Sequence, residues 1–360
     1  MDEPGLNQPS YHGESRSIPL SSSDSRESED SLSPVAKEYD QRAQWLDRDQ
    51  KANGGFQGLG EERAEFSDFP TRREGSFSRW GLPIGLFAFT VFTTLWAGAY
   101  QLNTKPVRGA WDFLINNPSS LLRGLPFAGT LLGILVIHEF GHYVFSRIHR
   151  VPASFPLFIP GPPHFIGTFG AIIRLRSPIM NRRALFDIGV AGPIAGFLAA
   201  VVALMIGLSL SEVTPRDHIY GLQLGEPLLL QFFAWLIFGP IPETSDVVLH
   251  PVGFAAWFGL FVTALNLIPL GQLDGGHVAF AVLGHRQRTI ALAIIPILLV
   301  LGLMGWPGWI LWAGLAGLVG IAHPPVVDPE AVLGRGRMWV AWSAMAIFIL
   351  TFAPVPFYFG

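Results

Sequence analysis

Long apolar runs with almost no charged side chains are the feature that most limits what this chain can fold into. A helix needs about 20 consecutive, mostly apolar residues to cross the hydrocarbon core of a bilayer. Such runs lie at 81–104, 124–146, 188–211, 247–273 and 338–357, and 289–327 is long enough for two crossings hinged at its WPGW. The sequence therefore predicts an all-α polytopic membrane protein with about seven transmembrane helices.

Basic residues predict the orientation of these helices, because loops on the cytoplasmic side of a membrane are enriched in Lys and Arg. A shorter apolar run, 227–242, is marginal for a crossing, and we interpret it as a re-entrant or interfacial segment. All clusters then lie on one side, so we predict a cytoplasmic N-terminus and an external C-terminus. The basic residues are Arg72, Arg73, Arg79, Arg147, Arg150, Arg174, Arg176, Arg182, Arg183, Arg286, Arg288, Arg335 and Arg337.

The first part of the chain differs in composition from the rest. Residues 1–79 hold 16 Asp or Glu and 10 Lys or Arg, and they include the run SIPLSSSDSRESEDSLSPVAKE. Such a segment cannot bury enough apolar surface to offset the entropy of ordering. We therefore divide the chain into a largely disordered cytoplasmic tail, 1–78, and a membrane domain, 79–360. With no signal-peptide core in the tail and no evident transit peptide, we expect a bacterial inner membrane.

One connection between the second and third predicted spans has a strand-like pattern. In PHFIGTFGAIIRLRSP, 163–178, the apolar residues alternate between proline-rich boundaries, which is typical of a short hairpin. Backbone of this kind is tolerated at membrane depth only where it lines a cavity or is buried in protein. We predict a short membrane-associated β-hairpin here, and an ordinary cytoplasmic loop is the alternative.

The motif HEFGH, 138–142, places ionisable groups within the second predicted span. His138 and His142 are four residues apart, so a helix presents both on one face, where they can bind one cation. Glu139 points elsewhere and can lie beside a water molecule on that cation, as in zinc peptidases with the HExxH pattern. The pattern alone has modest specificity, and a histidine pair hydrogen-bonded within the bundle is the alternative.

A third metal ligand is expected, because catalytic zinc usually keeps three protein ligands. The chain contains no cysteine, so the ligands must be His, Asp or Glu. In NLIPLGQLDGGHVAF, Asn266 and Asp274 interrupt an apolar run whose prolines and glycines unwind the helix. The predicted topology brings Asp274 to the same side of the membrane as the two histidines. We therefore predict one zinc ion per chain, bound by His138, His142 and Asp274.

These motifs resemble those of the site-2 proteases, a family of intramembrane zinc metalloproteases. HEFGH matches the family's HExxH, NLIPLGQLDGG matches its Asn-Pro-Leu-Asp-Gly-Gly pattern, and GTFGAIIRL and DIGVAGPIAGF stand between them in the expected order. The resemblance covers roughly 81–300 and implies that Glu139 is the general base and that Asn266 lies near the substrate carbonyl. Gly271 stands where many members have a proline, a form similar to the plastid and related bacterial branch.

The resemblance implies an endopeptidase that cleaves a transmembrane or membrane-anchored regulatory protein within the bilayer. No segment between the spans is long enough for a PDZ domain, so substrate selection would come from the membrane part or the acidic tail. The hairpin could offer an edge to an unwound substrate, and GPIAG in the third span has the spacing of close helix packing. The alternative function is a non-proteolytic metal transporter or scaffold, and we expect no nucleic-acid partner.

Overall fold

The structure of the chain is a computed structural model. It describes residues 76–101, 110–116, 118–173, 179, 181–216, 222–319, 326, 328 and 331–359. Of the predicted tail, 1–75 lie outside these residues, and the first helix already begins at Ser76. The predicted boundary at residue 79 therefore falls inside a helix.

The described part of the chain is mostly helical. A 3-10 helix of seven residues, Pro118–Gly124, leads directly into the helix that carries HEFGH. The α-helices are α1 (Ser76–Gln101), α2 (Ala110–Asn116), α3 (Leu125–Ile148), α4 (Arg182–Ser209), α5 (Leu228–Phe238), α6 (Pro251–Leu267), α7 (Asp274–Leu283), α8 (Arg286–Met304), α9 (Gly308–Val319) and α10 (Gly334–Thr351).

Four helical segments of the described chain are long and apolar enough to cross a membrane. They are Gly81–Gln101, Pro118–Ile148, Arg182–Ser209 and Arg286–Met304. They correspond to the first three predicted spans and to the first half of 289–327. Seven spans are not confirmed.

The remaining predicted spans are not confirmed, because their helices are shorter or more polar than these four segments. Helix α6 has 17 residues, about 26 Å at a rise of about 1.5 Å per residue, because the chain unwinds before Pro269. Helices α8 and α9 are separated at Trp306 and Pro307, and Arg335 and Arg337 lower the hydropathy of α10. In the marginal run, 227–242, helix α5 has only 11 residues, about half of what a crossing needs.

The predicted hairpin is present, although its first strand lies earlier in the chain. Strand β1 (Leu157–Pro160) pairs antiparallel with β2 (Thr168–Ile172), whereas the prediction began at residue 163. The prolines of GPPH place 161–167 in the turn, which is closed by a hydrogen bond from Gly161 N to the Gly167 carbonyl (2.9 Å). At Gly167, with φ +75°, the backbone passes so close to Thr93 that a side chain would not fit.

Two further small sheets were not predicted from the sequence. Strand β3 (Glu212–Pro215) pairs with β5 (Ser245–Val248), and β4 (Leu222–Leu224) pairs with β6 (Phe357–Phe359), both antiparallel. Each pair joins segments far apart in the chain, and strands of three or four residues carry almost no periodic signal. Both sheets follow or flank helix ends, so they cap the bundle at the C-terminal end of α4.

Helix α4 occupies the centre of the bundle and packs against α3, α6 and α7. Small residues allow this close packing, because a Cβ on Gly141 of α3 would lie 2.6 Å from the Ala191 carbonyl oxygen of α4. Gly207 and Gly253 make a similar approach between α4 and α6. Backbones that approach at small residues are typical of helix packing in membranes. The core around them is formed by large apolar side chains, including Phe127, Leu131, Leu204, Trp257, Phe258 and Leu260.

Candidate metal centre

Three side chains from two distant parts of the chain converge in the middle of the bundle. The Nε2 atoms of His138 and His142 lie 3.2 Å apart. Asp274 places its Oδ2 atom 3.3 Å from Nε2 of His138 and 3.2 Å from Nε2 of His142. The three predicted ligands therefore form a nearly equilateral triangle of donor atoms.

The backbone explains why these side chains meet. His138 and His142 are one helical turn apart on α3, so both project from one face. Asp274 is the first residue of α7 and follows a non-helical segment, 268–273. A Cβ on Gly275 would clash with the carbonyl oxygens of Leu267 and Ile268, and one on Gly276 would clash with that of Leu270. Only glycine allows the chain to fold back this tightly and present the carboxylate to α3.

The triangle has the size that a zinc ion requires. In a tetrahedral site with Zn–N and Zn–O bonds of about 2.0–2.1 Å, neighbouring ligand atoms lie about 3.3 Å apart. Two imidazole nitrogens and one carboxylate oxygen also suit zinc in their chemistry. The side chains are 4%, 13% and 17% exposed for His138, His142 and Asp274. All three side chains are thus mostly buried among apolar helices. Their donor types and their spacing are those of a metal centre.

The orientation of His142 is fixed by a second hydrogen bond. Its Nδ1 atom lies 2.7 Å from the carbonyl oxygen of Ile188 on α4. A carbonyl only accepts, so Nδ1 must carry the proton and donate it. The Nε2 lone pair is then available to a cation that the Asp274 carboxylate would also bind, the arrangement that metal-binding histidines usually show.

The two other predicted site residues lie beside the donor triangle. Glu139 is buried, with 6% of its surface exposed, and it lines the same cleft without belonging to the donor group. The side-chain amide nitrogen of Asn266 lies 3.3 Å from Nε2 of His138. The structure thus brings all five predicted residues to one cleft, which has a volume of about 240 Å³.

The glycines of α4 pack directly against the imidazoles. A Cβ on Gly192 would clash with the ring of His142, and one on Gly196 would lie 2.9 Å from Nδ1 of His138. These two residues are the glycines of GPIAG, for which the sequence predicted a packing role. They pack against the face of α3 that carries His138 and His142. The glycines therefore determine where the imidazoles can lie.

The hairpin borders the cleft on one side. Ala171 and Ile172 of β2, together with Ile173, line the cleft. His277 also lines the cleft, one helical turn after Asp274. The spacing of three residues on a helix was the signal that could have identified it.

An ionic cluster at the C-terminal end of α3 was not predicted. The carboxylate of Asp187 on α4 accepts two hydrogen bonds from Arg337 of α10, at 2.8 and 2.7 Å. The Nε2 atom of His149 lies 2.9 Å from the same carboxylate. The three residues are far apart in the sequence, so no local pattern indicates that they meet.

Comparison with known proteins identifies related sequences. Residues 126–304 match the family model described as peptidase family M50. The "Probable zinc metalloprotease EGY2, chloroplastic" of Arabidopsis thaliana is 31% identical over 211 residues, which are 57% of this chain and 36% of that protein. The "Probable zinc metalloprotease EGY1, chloroplastic" of the same plant is 32% identical over 241 residues, 64% of this chain and 43% of that protein.

A rice protein with the same name as the first relative is also similar to this chain. The EGY2 protein of Oryza sativa subsp. japonica is 35% identical over 187 residues, which are 50% of this chain and 33% of that protein. The chain spans less than half the length of these relatives. No solved structure matches it significantly. The relatives are named chloroplastic, so the expected bacterial inner membrane finds no support.

Proposed function

Residues 126–304 belong to peptidase family M50, the site-2 protease family that the motifs resemble, and on this premise we propose that the chain is an intramembrane zinc endopeptidase. Its substrate would be a transmembrane or membrane-anchored protein. The observation that carries the proposal is the donor triangle of His138, His142 and Asp274, with Glu139 in the same cleft. The relatives named as zinc metalloproteases support the choice of metal and of reaction.

The triangle would hold the zinc ion. Bound there, zinc would act as a Lewis acid on the carbonyl of the scissile peptide bond and make a water molecule more acidic. The protein holds the three donors at the spacing that zinc requires. Gly192, Gly196 and the Ile188 carbonyl restrict the imidazoles to this arrangement.

Glu139 is proposed as the general base. It would remove a proton from the water molecule that attacks the carbonyl carbon and pass it to the nitrogen of the departing amine, so the carboxylate is regenerated. Glu139 is placed for this role because it shares the cleft with the donors but is not one of them. A neighbouring carboxylate of this kind is what HExxH peptidases require.

Asn266 is proposed to hydrogen-bond the substrate near the reacting carbonyl. Its amide nitrogen lies next to Nε2 of His138, and an amide N–H is a suitable donor to an oxygen on which negative charge develops. The asparagine belongs to α6 and the donor Asp274 to α7, so the unwound segment between these helices positions both.

The hairpin is proposed to present the substrate in an extended form. A peptide bond in a helix is shielded by its own hydrogen bonds, so a transmembrane substrate must unwind before it can be cleaved. Strand β2 pairs only with β1 among the described residues, and its residues line the cleft. A substrate strand that adds to the other edge of β2 would lie next to the donors.

A metal transporter or scaffold would use the same three donors, so the test must separate transport from hydrolysis. We propose to reconstitute the purified full chain into liposomes together with detergent-extracted membrane proteins of the expression host. The expected result is a set of new N-termini inside apolar segments, detected by mass spectrometry and abolished by a zinc chelator. Zinc flux into the liposomes without new N-termini would favour the transporter.

A further inference from the structure

The ionic cluster formed by Asp187, Arg337 and His149 lies outside the cleft, and the reaction described above does not use it. Arg337 donates from Nε to Oδ1 of Asp187 (2.8 Å) and from Nη2 to Oδ2 (2.7 Å). This two-pronged arrangement is the strongest geometry for an arginine and a carboxylate. His149 Nε2 approaches Oδ2 at 2.9 Å, so both carboxylate oxygens have partners.

The cluster connects α3, which carries the two histidine donors, to α4 and α10. His149 directly follows α3, and its backbone N–H donates to the Phe145 carbonyl group at the C-terminal end of that helix. Asp187 lies in the second turn of α4, and Arg337 in the first turn of α10. One carboxylate therefore fixes the C-terminal end of α3 and the start of α10 against α4.

Asp187 is adjacent to the residue that orients His142. The carbonyl oxygen of Ile188 accepts the hydrogen bond from Nδ1 of His142 at 2.7 Å. Any sliding of α4 along α3 would move this oxygen and the Gly192 surface on which the imidazole rests. The ionic cluster opposes that sliding, because it joins the two helices one residue away.

The same end of α4 also holds the helix of the third donor. Arg182, one helical turn and a half before Asp187, donates from its guanidinium to the carbonyl groups of Ala281 and Val282. These carbonyl groups lie at the C-terminal end of α7, whose first residue is Asp274. The start of α4 is thus the common support of all three donors.

We propose that Asp187 is a positioning residue for the metal centre, held in place by Arg337 and His149, and that it acts through the Ile188 carbonyl on His142. The inference rests on the proposed function, since it assigns these residues to the same zinc site. The Arg337 side chain keeps 34% of its surface exposed, so water screens its charge and little net stability comes from the ion pair. Its directional geometry, in contrast, specifies one register of α4 against α3.

The test compares zinc affinity among full-length variants in detergent, by competition with a chromophoric chelator. Asp187→Asn and Arg337→Gln are expected to bind zinc about tenfold more weakly, the lower end of the effect of outer-shell partners. Arg337→Lys keeps the charge without the two-pronged geometry and should lie between them and the wild type. The matched control is Arg335→Gln, since Arg335 is exposed on the same helical turn of α10.

Two further readouts separate positioning from simple stabilisation. The visible absorption spectrum of the cobalt-substituted protein reports ligand geometry, and it should change in Asp187→Asn but not in Arg335→Gln. The double variant Asp187→Asn with Arg337→Gln should bind zinc no more weakly than Asp187→Asn alone, because each change removes the same ion pair between Asp187 and Arg337. The Arg337→Lys variant keeps the comparison possible if removal of the charge prevents folding.

The outcomes distinguish this inference from the proposed function. Wild-type zinc affinity and an unchanged cobalt spectrum in Asp187→Asn and Arg337→Gln would overturn the positioning role, even if their melting temperatures fell. A wild-type chain that binds no zinc would instead contradict the proposed function itself.

Discussion

At the residue scale, His142 is the most constrained side chain of the proposed centre. Its ring lies between the Ile188 carbonyl on one side and the donors His138 and Asp274 on the other. Gly192 forms the surface beneath it. An imidazole held from three directions cannot rotate away from the metal, which reduces the rearrangement that binding requires.

Removal of the third donor should abolish metal binding. In Asp274→Ala the carboxylate that lies 3.2–3.3 Å from both imidazoles is lost, so only two protein ligands remain, fewer than zinc sites normally have. We expect zinc content, measured by plasma mass spectrometry on purified protein, to fall from one ion per chain to near zero. Asp246→Ala, at the opposite end of the bundle, is the control, and unchanged zinc in Asp274→Ala would remove it from the ligand set.

A methyl group at Gly192 should damage the centre without weakening the helix. Alanine favours a helix over glycine by about 1 kcal/mol, so α4 itself should not lose stability in Gly192→Ala. The new Cβ would clash with the His142 ring, and we expect zinc affinity to fall by at least about tenfold. The control Gly133→Ala places a Cβ in open space on α3. Equal zinc affinity in both variants would show that Gly192 does not support the imidazole.

At the element scale, the hairpin makes a prediction about substrate contact. Ile172 of β2 is 46% exposed and lines the cleft, whereas Ile159 of β1 is 37% exposed and does not. A photoreactive amino acid at 172, in the Glu139→Gln background, should crosslink to a bound substrate, and the same group at 159 should not. Crosslinks of equal yield from both positions would argue against strand addition at β2.

The elements also show which parts of the centre were predictable. The separation of His138 and His142 on a helix follows from the four-residue spacing, and the need for a third donor follows from the coordination of zinc. The breaks at Pro269, Gly271, Gly275 and Gly276 indicated where Asp274 would emerge. The position of β1 was not predictable, because the pairing of Leu157 with Ile172 depends on tertiary contacts of the turn.

At the scale of the whole molecule, charge distribution predicts orientation in the membrane. The chain has no cysteine, so single cysteines can be labelled without background. Glu243→Cys lies between α5 and β5, and His285→Cys lies between α7 and α8; both positions are exposed. An impermeant maleimide added outside intact cells should label Glu243→Cys, and it should label His285→Cys only after permeabilisation. The reverse pattern would contradict the positive-inside orientation.

The number of spans was the least predictable global property. Apolar length alone indicated seven crossings, but the described chain has four helices that are long and apolar enough. The chain unwinds after Leu267 to build the metal centre and breaks again at Trp306 and Pro307, which shortens the helices on either side. The Asp187, Arg337 and His149 cluster was also unpredictable, since it joins residues that are up to 188 positions apart.

The central claim is that Glu139 serves the reaction while His138, His142 and Asp274 hold the zinc. It is tested most directly by measuring zinc content and cleavage in one preparation of Glu139→Gln, with Glu243→Gln as the control and a membrane protein cut by the wild type as substrate. We expect one zinc ion per chain and a cleavage rate reduced by about 10²–10⁴-fold, the usual contribution of general acid–base catalysis. Cleavage at the wild-type rate by zinc-loaded Glu139→Gln would contradict it.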